Sequence, residues 1–131
     1  MFTLLVERKQ KVLWTRFSGI LRRELIHAQG AAARKLAESE GPLRALIDFR
    51  DVEKIDIPLE TLKTMGHSPQ NLTDQKRVLV ASTDEHFGMA RLFATYQGLS
   101  GNVEPLVVRT MEEAHRALQL SDPHFEPVPL T

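Results

Sequence analysis

The sequence contains no cysteine, so disulfide bonds, thiolate metal sites and cysteine nucleophiles are all excluded. This absence is typical of proteins that work in a reducing compartment. Long apolar runs are lacking too, since no stretch approaches the ~20 residues that a membrane span needs. The short apolar segment 2–6 is followed by charged residues, whereas a signal peptide carries its positive charge first. We therefore expect a cytoplasmic protein with no integral membrane association.

An excess of charge of either sign is also lacking, because 17 Lys and Arg residues balance 17 Asp and Glu residues. Nonspecific nucleic-acid binding depends on a basic surface, and adsorption to anionic lipid depends on a basic excess. We therefore expect no nucleic-acid partner. The 131 residues, 42% of them hydrophobic, suffice for one domain with one continuous core.

Motifs for catalysis and cofactor binding are missing as well. The glycines form neither a dinucleotide-binding fingerprint nor a phosphate loop. Ser82, Asp84 and His86 are neighbours in sequence, but no nucleophile elbow surrounds the serine. The five histidines lack metal-ligand spacing. We predict no catalytic residue, no cofactor and no metal site.

Short apolar runs alternate with helical periodicity along the chain. Segments 2–7 and 11–18 predict an N-terminal β-hairpin, and the remaining runs extend the order to β-β-α-β-α-β-α-β-α. This alternation is typical of an α/β fold, and we expect a mostly parallel sheet of five strands with four helices. One domain is predicted over residues 1–121. The tail, residues 122–131, contains three prolines and is expected to be extended.

Local signals refine these elements. The first helix, over residues 21–40, has a stripe of mostly small residues that we expect to face the sheet: Leu25, Ala28, Ala32 and Leu36. Residues 50–56 are predicted to form a loop after the third strand. Capping patterns are expected to start the three later helices, at Asp56 before Pro58, at Ser82 with Glu85, and at Thr110 with Glu113.

Four phrases, in this order and spacing, resemble the SpoIIAA-like domains of the STAS superfamily, which are grouped by fold with the CRAL-TRIO lipid carriers. The phrases are FSG at 17–19, ALIDFRDV at 45–52, FGMARLF at 87–93 and EEAHRAL at 112–118. The resemblance implies the SpoIIAA/STAS-like α/β fold. In the sporulation regulators of this group, a serine at the start of the second helix is phosphorylated to control partner binding. Residues 56–59 offer no hydroxyl there, and Thr61 is the nearest one.

Polar residues are predicted to meet at the carboxyl ends of the strands, where ligands collect in open α/β sheets. Asp51 follows the third strand, and Ser82, Thr83 and Asp84 follow the fourth. The free N–H groups of the third helix would add a site for an anion. The alternative is that Ser82 only caps this helix and that the acidic residues favour its positive end.

The third helix is apolar on two sides, with Met89, Phe93 and Tyr96 on one and Phe87 on the other. Such a helix is either buried under its neighbours or has a second partner. The second partner would be another copy of the chain or an apolar ligand. Arg91, between the two sides, either meets a carboxylate or phosphate head group or reaches solvent.

The sequence therefore predicts a non-enzymatic binding or regulatory module of the SpoIIAA-like type, acting through a protein partner or through self-association. The alternative is a carrier of a small apolar, lipid-like ligand, which requires a cavity beneath the second and third helices.

Overall fold

Helices and strands alternate along the chain after an initial pair of strands. The computed structural model describes residues 1–70 and 75–129. In chain order the elements are β1 (Phe2–Glu7), β2 (Val12–Leu21), α1 (Arg23–Glu40), β3 (Arg44–Ile55), α2 (Leu59–Gly66), β4 (Arg77–Val80), α3 (Asp84–Leu99), β5 (Leu106–Val108), α4 (Met111–Ala117) and β6 (Glu126–Val128). No helix within these described ranges is long and apolar enough to cross a membrane.

The strands form one mixed sheet in the order β5-β4-β3-β2-β1-β6. Strands β2 to β5 pair in parallel, and β1 runs antiparallel to both β2 and β6. The predicted α/β class is confirmed, and the described residues contain the four expected helices. The predicted count of five strands is wrong, because the tail supplies a sixth.

The tail is held by hydrogen bonds to the turn between β1 and β2. The Glu7 carboxylate accepts a hydrogen bond from the backbone N–H of His124. The Gln10 side chain donates to the carbonyl oxygen of Ser121 at 3.1 Å and accepts from its N–H at 3.0 Å. Residues 126–128 then pair with β1 at what is otherwise a free sheet edge.

The sheet buries apolar side chains on both faces, because successive side chains of a strand point to opposite sides. The first face packs against α1, α2 and α3, with Leu13, Phe17 and Leu79 among its buried residues. The second face packs against α4, with Leu46 and Val78 among its own. Helix α4 is short, so this second face is covered over a smaller area.

Of the predicted inward-facing residues of α1, Leu25, Ala32 and Leu36 pack against the core, and Ala28 does not. Gln29, Gly30 and Ala33 are buried, whereas Ala28 is exposed. Small residues on the buried side let the helix approach the sheet closely. A buried glutamine among them is the feature that the periodicity of apolar residues does not reveal.

Two of the three predicted helix starts are also displaced. Asp56 does not cap α2, which begins after Pro58, and instead meets the Arg22 guanidinium at 3.3 Å. Ser82 does not cap α3, because the Thr83 hydroxyl accepts the hydrogen bond from the His86 N–H. The predicted capping box of α4 is confirmed, with Thr110 and Glu113 each accepting from the backbone of the other.

The predicted loop at residues 50–56 is largely strand. Strand β3 continues to Ile55 because β2 runs on to Leu21 beside it. The register passes from Arg16 opposite Asp48 to Ser18 opposite Asp51, so β3 carries an extra residue at a bulge.

Candidate functional site

An apolar cavity of about 150 Å³ lies between the first face of the sheet and helices α1, α2 and α3. Most of its lining is aliphatic, aromatic or thioether. These lining residues are Leu13, Phe17, Leu21, Ile26, Ala33, Ala45, Ile47, Phe49, Ile55, Ile57, Leu62, Met65, Leu79, Met89, Ala90 and Phe93.

Short side chains leave this space open. Ala33 of α1, Ala45 of β3 and Ala90 of α3 all line the cavity and are almost completely buried. Their methyl groups do not reach across the gap between helix and sheet. Protein interiors rarely leave a gap larger than a water molecule, so a cavity of this size distinguishes the first face.

Three polar side chains also line the cavity: Gln29, Arg77 and His86. The Gln29 amide donates a hydrogen bond to Thr15 Oγ1 at 2.8 Å, and both residues are buried. His86 lies in the first turn of α3 and is 6% exposed. Its backbone N–H donates to the hydroxyl of the N-cap residue Thr83, and His86 is part of the cavity wall.

Arg77 is the charged group at the cavity. Its Nη2 donates to the carbonyl oxygen of Val103 at 2.7 Å, but its Nε is buried and has no hydrogen-bond partner among the described residues. Burial lowers the pKa of Arg77 to about 10. The strand register places Leu13, Ala45 and Arg77 in one row, at the end of the cavity where β4 begins. The other end has Leu21 beside Ile55.

Of the predicted binding residues on α3, Met89 and Phe93 line the cavity. Tyr96 instead packs between the helices, with its ring 5.1 Å from that of His67 on the α2 side. The Arg109 guanidinium lies over the Phe87 ring, with its Cζ 4.1 Å from the ring centroid. Arg91 is exposed.

The polar residues predicted to meet at the carboxyl ends of the strands make their ion pairs with arginines rather than with one another. Asp51 pairs with Arg16 at 3.3 Å, and Asp84 pairs with Arg109 at 2.8 Å. No hydrogen bond or ion pair within residues 1–70 and 75–129 joins Asp51, Ser82 and Asp84. Thr61 is half-buried on α2 and does not line the cavity.

A polar cluster on the second face escaped the sequence analysis. Asp48 is 2% exposed and accepts hydrogen bonds from Arg50 Nε at 3.0 Å and Nη2 at 2.9 Å. It also accepts from Trp14 Nε1 at 3.3 Å. Burial alone raises the pKa of Asp48, but the bonds from Arg50 and Trp14 outweigh it and lower the pKa below its usual range. Because these partners already satisfy the carboxylate, the cluster is a structural ion pair.

A second depression, of about 600 Å³, lies among α1, β1 and β6. It is larger and more open to solvent than the first cavity, and its wall includes Lys35, Glu38 and Ser39. The cavity beneath α2 and α3 is the more enclosed and the more apolar of the two, so it is the better candidate site.

Sequence reasoning missed Gln29, Arg77 and His86 as cavity residues. The sequence gives one indication for Arg77: it lies two residues before Leu79 on β4, so the two side chains point to the same face of the sheet. Gln29 is a polar residue beside the predicted stripe of α1, and the stripe was chosen from apolar residues alone. Within the described ranges, no group of three His, Asp or Glu residues could hold a metal ion.

Comparison with known proteins finds no match to a family model and no match to a curated protein sequence. The cavity therefore has to be interpreted from its own chemistry.

Proposed function

We propose that this chain is a non-enzymatic binding domain of the SpoIIAA-like type that holds a small apolar molecule in the cavity on its first face. The observation that carries the proposal is the cavity itself, which lies beneath α2 and α3 and is lined by Met89 and Phe93. An engineered cavity of similar volume in another protein stays dry and binds benzene or xenon. Pockets for drug-sized ligands are larger, roughly 300–1,000 Å³, so the ligand is benzene-sized.

The size of the cavity also sets the strength of apolar binding. Unfilled apolar space costs roughly 24 cal/mol per Å³. A cavity of about 150 Å³ therefore costs on the order of 3–4 kcal/mol when empty. A ligand that regains this energy by contacts alone binds with a Kd in roughly the low millimolar range.

Methionine methyl NMR tests the proposal, because two of the four methionines line the cavity and two do not. Met65 and Met89 line the cavity, whereas Met111 packs on the second face and Met1 is exposed. We expect millimolar hexan-1-ol to shift the signals of Met65 and Met89 and to leave the other two in place. Equal shifts at all four methionines, or none, would refute the proposal.

A matched pair of variants controls the titration. Ala33→Leu places extra methyl groups into the cavity, and we expect it to abolish the hexan-1-ol shifts. Ala31→Leu makes the same change two residues earlier, on the exposed side of α1, and should bind as the parent does. Ala90→Leu repeats the filling from α3 and serves if Ala33→Leu fails to fold.

A protein partner or a second copy of the chain remains the second candidate function. It rests on apolar side chains at the β5 edge of the sheet, where Leu99, Val103 and Leu106 are 73%, 42% and 44% exposed. Exposed apolar groups beside an open strand edge favour association. Light scattering tests this candidate. We expect the parent chain to have a mass above that of the monomer, Leu106→Lys to have the mass of the monomer, and the control Leu59→Lys, at an exposed position of α2, to have the mass of the parent. A monomeric parent chain would remove self-association as a function.

A further inference from the structure

Arg77 places a partly buried positive charge, with its Nε fully buried, beside an apolar cavity, and no carboxylate of the described residues pairs with it. The ion pairs among residues 1–70 and 75–129 do not include Arg77. Among the described residues its guanidinium donates to two neutral acceptors, the Val103 carbonyl and, at 3.5 Å, Gln70 Oε1. Its Nε has no hydrogen-bond partner among them.

Such an arrangement is costly without a ligand. A buried charge normally has a counter-charge or full hydrogen bonding, and burial already lowers the pKa of Arg77. An apolar side chain at this position would close the cavity wall without that cost. The guanidinium therefore indicates that an anion belongs at this end of the cavity.

The rest of the lining defines what the anion is attached to. Arg77 lies in the row of Leu13 and Ala45 at one end of the cavity. Beyond it, as far as Ile55 and Ile57, the walls are apolar except for Gln29, whose amide bonds to Thr15. His86 lies away from Arg77, because Arg77 is the first residue of β4 whereas α3 begins after the last residue of that strand. A ligand that satisfies both regions has one anionic end and one apolar body.

Resting on the function proposed above, we propose that the natural ligand is a small amphiphilic carboxylate whose head group pairs with Arg77. The carboxylate draws the guanidinium toward the cavity and gives Nε the acceptor that it lacks. Arginine binds carboxylates with short, charge-assisted hydrogen bonds. This assigns to Arg77 the head-group role that the sequence analysis considered for Arg91, whose side chain is exposed.

Hexanoate and hexan-1-ol form the probe pair, because they share an alkyl chain and differ in charge at pH 7. The readout is the shift of the Met65 and Met89 methyl signals during titration. Hydrogen bonds to charged groups are strong enough for about tenfold tighter binding of hexanoate. Arg77→Met should reduce this ratio to about one, and Arg77→Lys, which keeps the charge, should retain part of it.

Three further variants locate the effect. Arg91→Met removes an exposed arginine and should leave the ratio unchanged. His86→Leu should leave a preference for hexanoate, and loss of that preference would overturn the proposal in favour of His86. Asp74→Asn removes the acidic residue nearest in sequence to Arg77. If it raises hexanoate affinity tenfold, the charge is already compensated within the chain and the proposal is overturned.

The comparison on the parent chain needs no variant and separates the two proposals. If neither probe shifts Met65 and Met89, the proposed binding function itself fails. If hexan-1-ol binds as tightly as hexanoate, the cavity takes apolar molecules but the assignment of an anionic ligand is overturned.

Discussion

The Gln29 side-chain amide donates a hydrogen bond to the Thr15 hydroxyl across 2.8 Å, inside the layer between α1 and the sheet. Both residues are buried, and Gln29 also lines the cavity. The bond therefore satisfies two polar groups that are almost completely buried. It also ties α1 to β2 at the middle of the cavity.

Thr15→Val should lower the free energy of unfolding by about 1–3 kcal/mol, because it leaves the buried Gln29 amide without its acceptor. Replacing both partners, as Thr15→Val with Gln29→Leu, should recover at least half of the loss, since no polar group is then stranded. Urea denaturation measures both values. A double variant that is less stable than Thr15→Val alone would contradict this interpretation.

Acid should weaken the second face through Asp48. The bonds from Arg50 and Trp14 lower its folded pKa, so the ionised carboxylate stabilises the fold above its unfolded pKa of about 3.9. That contribution is lost as the pH falls below this value and through the folded pKa. Asp48→Asn should cost about 1–3 kcal/mol at pH 7 and flatten the loss of stability below about pH 4.

Asp51→Asn is the matched control for Asp48. Asp51 belongs to the half-exposed pair with Arg16, and exposed ion pairs contribute about 0–1 kcal/mol. Denaturation at a series of pH values should show that Asp51→Asn loses stability in acid about as steeply as the parent chain does. An equal flattening in both variants would show that the buried bonds of Asp48 are not the cause.

Gly66→Ala should separate α2 from α3. A Cβ at Gly66 would lie 2.4 Å from the Tyr96 Cβ, so one helix must move. Overpacking of this kind costs about 1–3 kcal/mol. Gly88→Ala is the matched control, since its Cβ meets open space on the exposed side of α3. It should be neutral or stabilise by up to about 1 kcal/mol, and thermal unfolding distinguishes the two.

Removal of the tail should expose Trp14, the one tryptophan of the chain. The Phe125 ring packs edge-on against it at 5.2 Å. A chain that ends at Leu120 loses this contact and β6, so we expect the tryptophan emission to shift to longer wavelength and the Tm to fall. A chain that ends at Pro129 keeps both and should have the parent spectrum. An unchanged spectrum for the shorter chain would show that Phe125 does not cover Trp14.

The order of helices and strands up to α4 was predictable because apolar periodicity and turn residues are local signals. The capping box at Thr110 and Glu113 was predictable for the same reason. The sixth strand was not, since residues 126–128 reach β1 across the whole length of the chain. Its Pro127 also argues against a strand, and only the edge position allows it.

The cavity was predictable only in part. Met89 and Phe93 stood out because α3 is apolar on two sides, whereas Phe87 and Tyr96 shared that pattern and contact other groups. Arg77 and Gln29 were missed because a polar residue in an apolar pattern is ordinarily assigned to the surface. Their burial depends on how α1, α3 and the sheet pack together, and no short sequence pattern records that packing.

The central claim is that the cavity beneath α2 and α3 accepts small apolar molecules, and a crystal pressurised with xenon tests it most directly. The account predicts one xenon site among Ala33, Phe93 and Met89, since xenon enters dry apolar cavities of this volume. The same crystal of Ala33→Leu should lose that site. A parent crystal that takes up xenon elsewhere but not at this position would contradict the account.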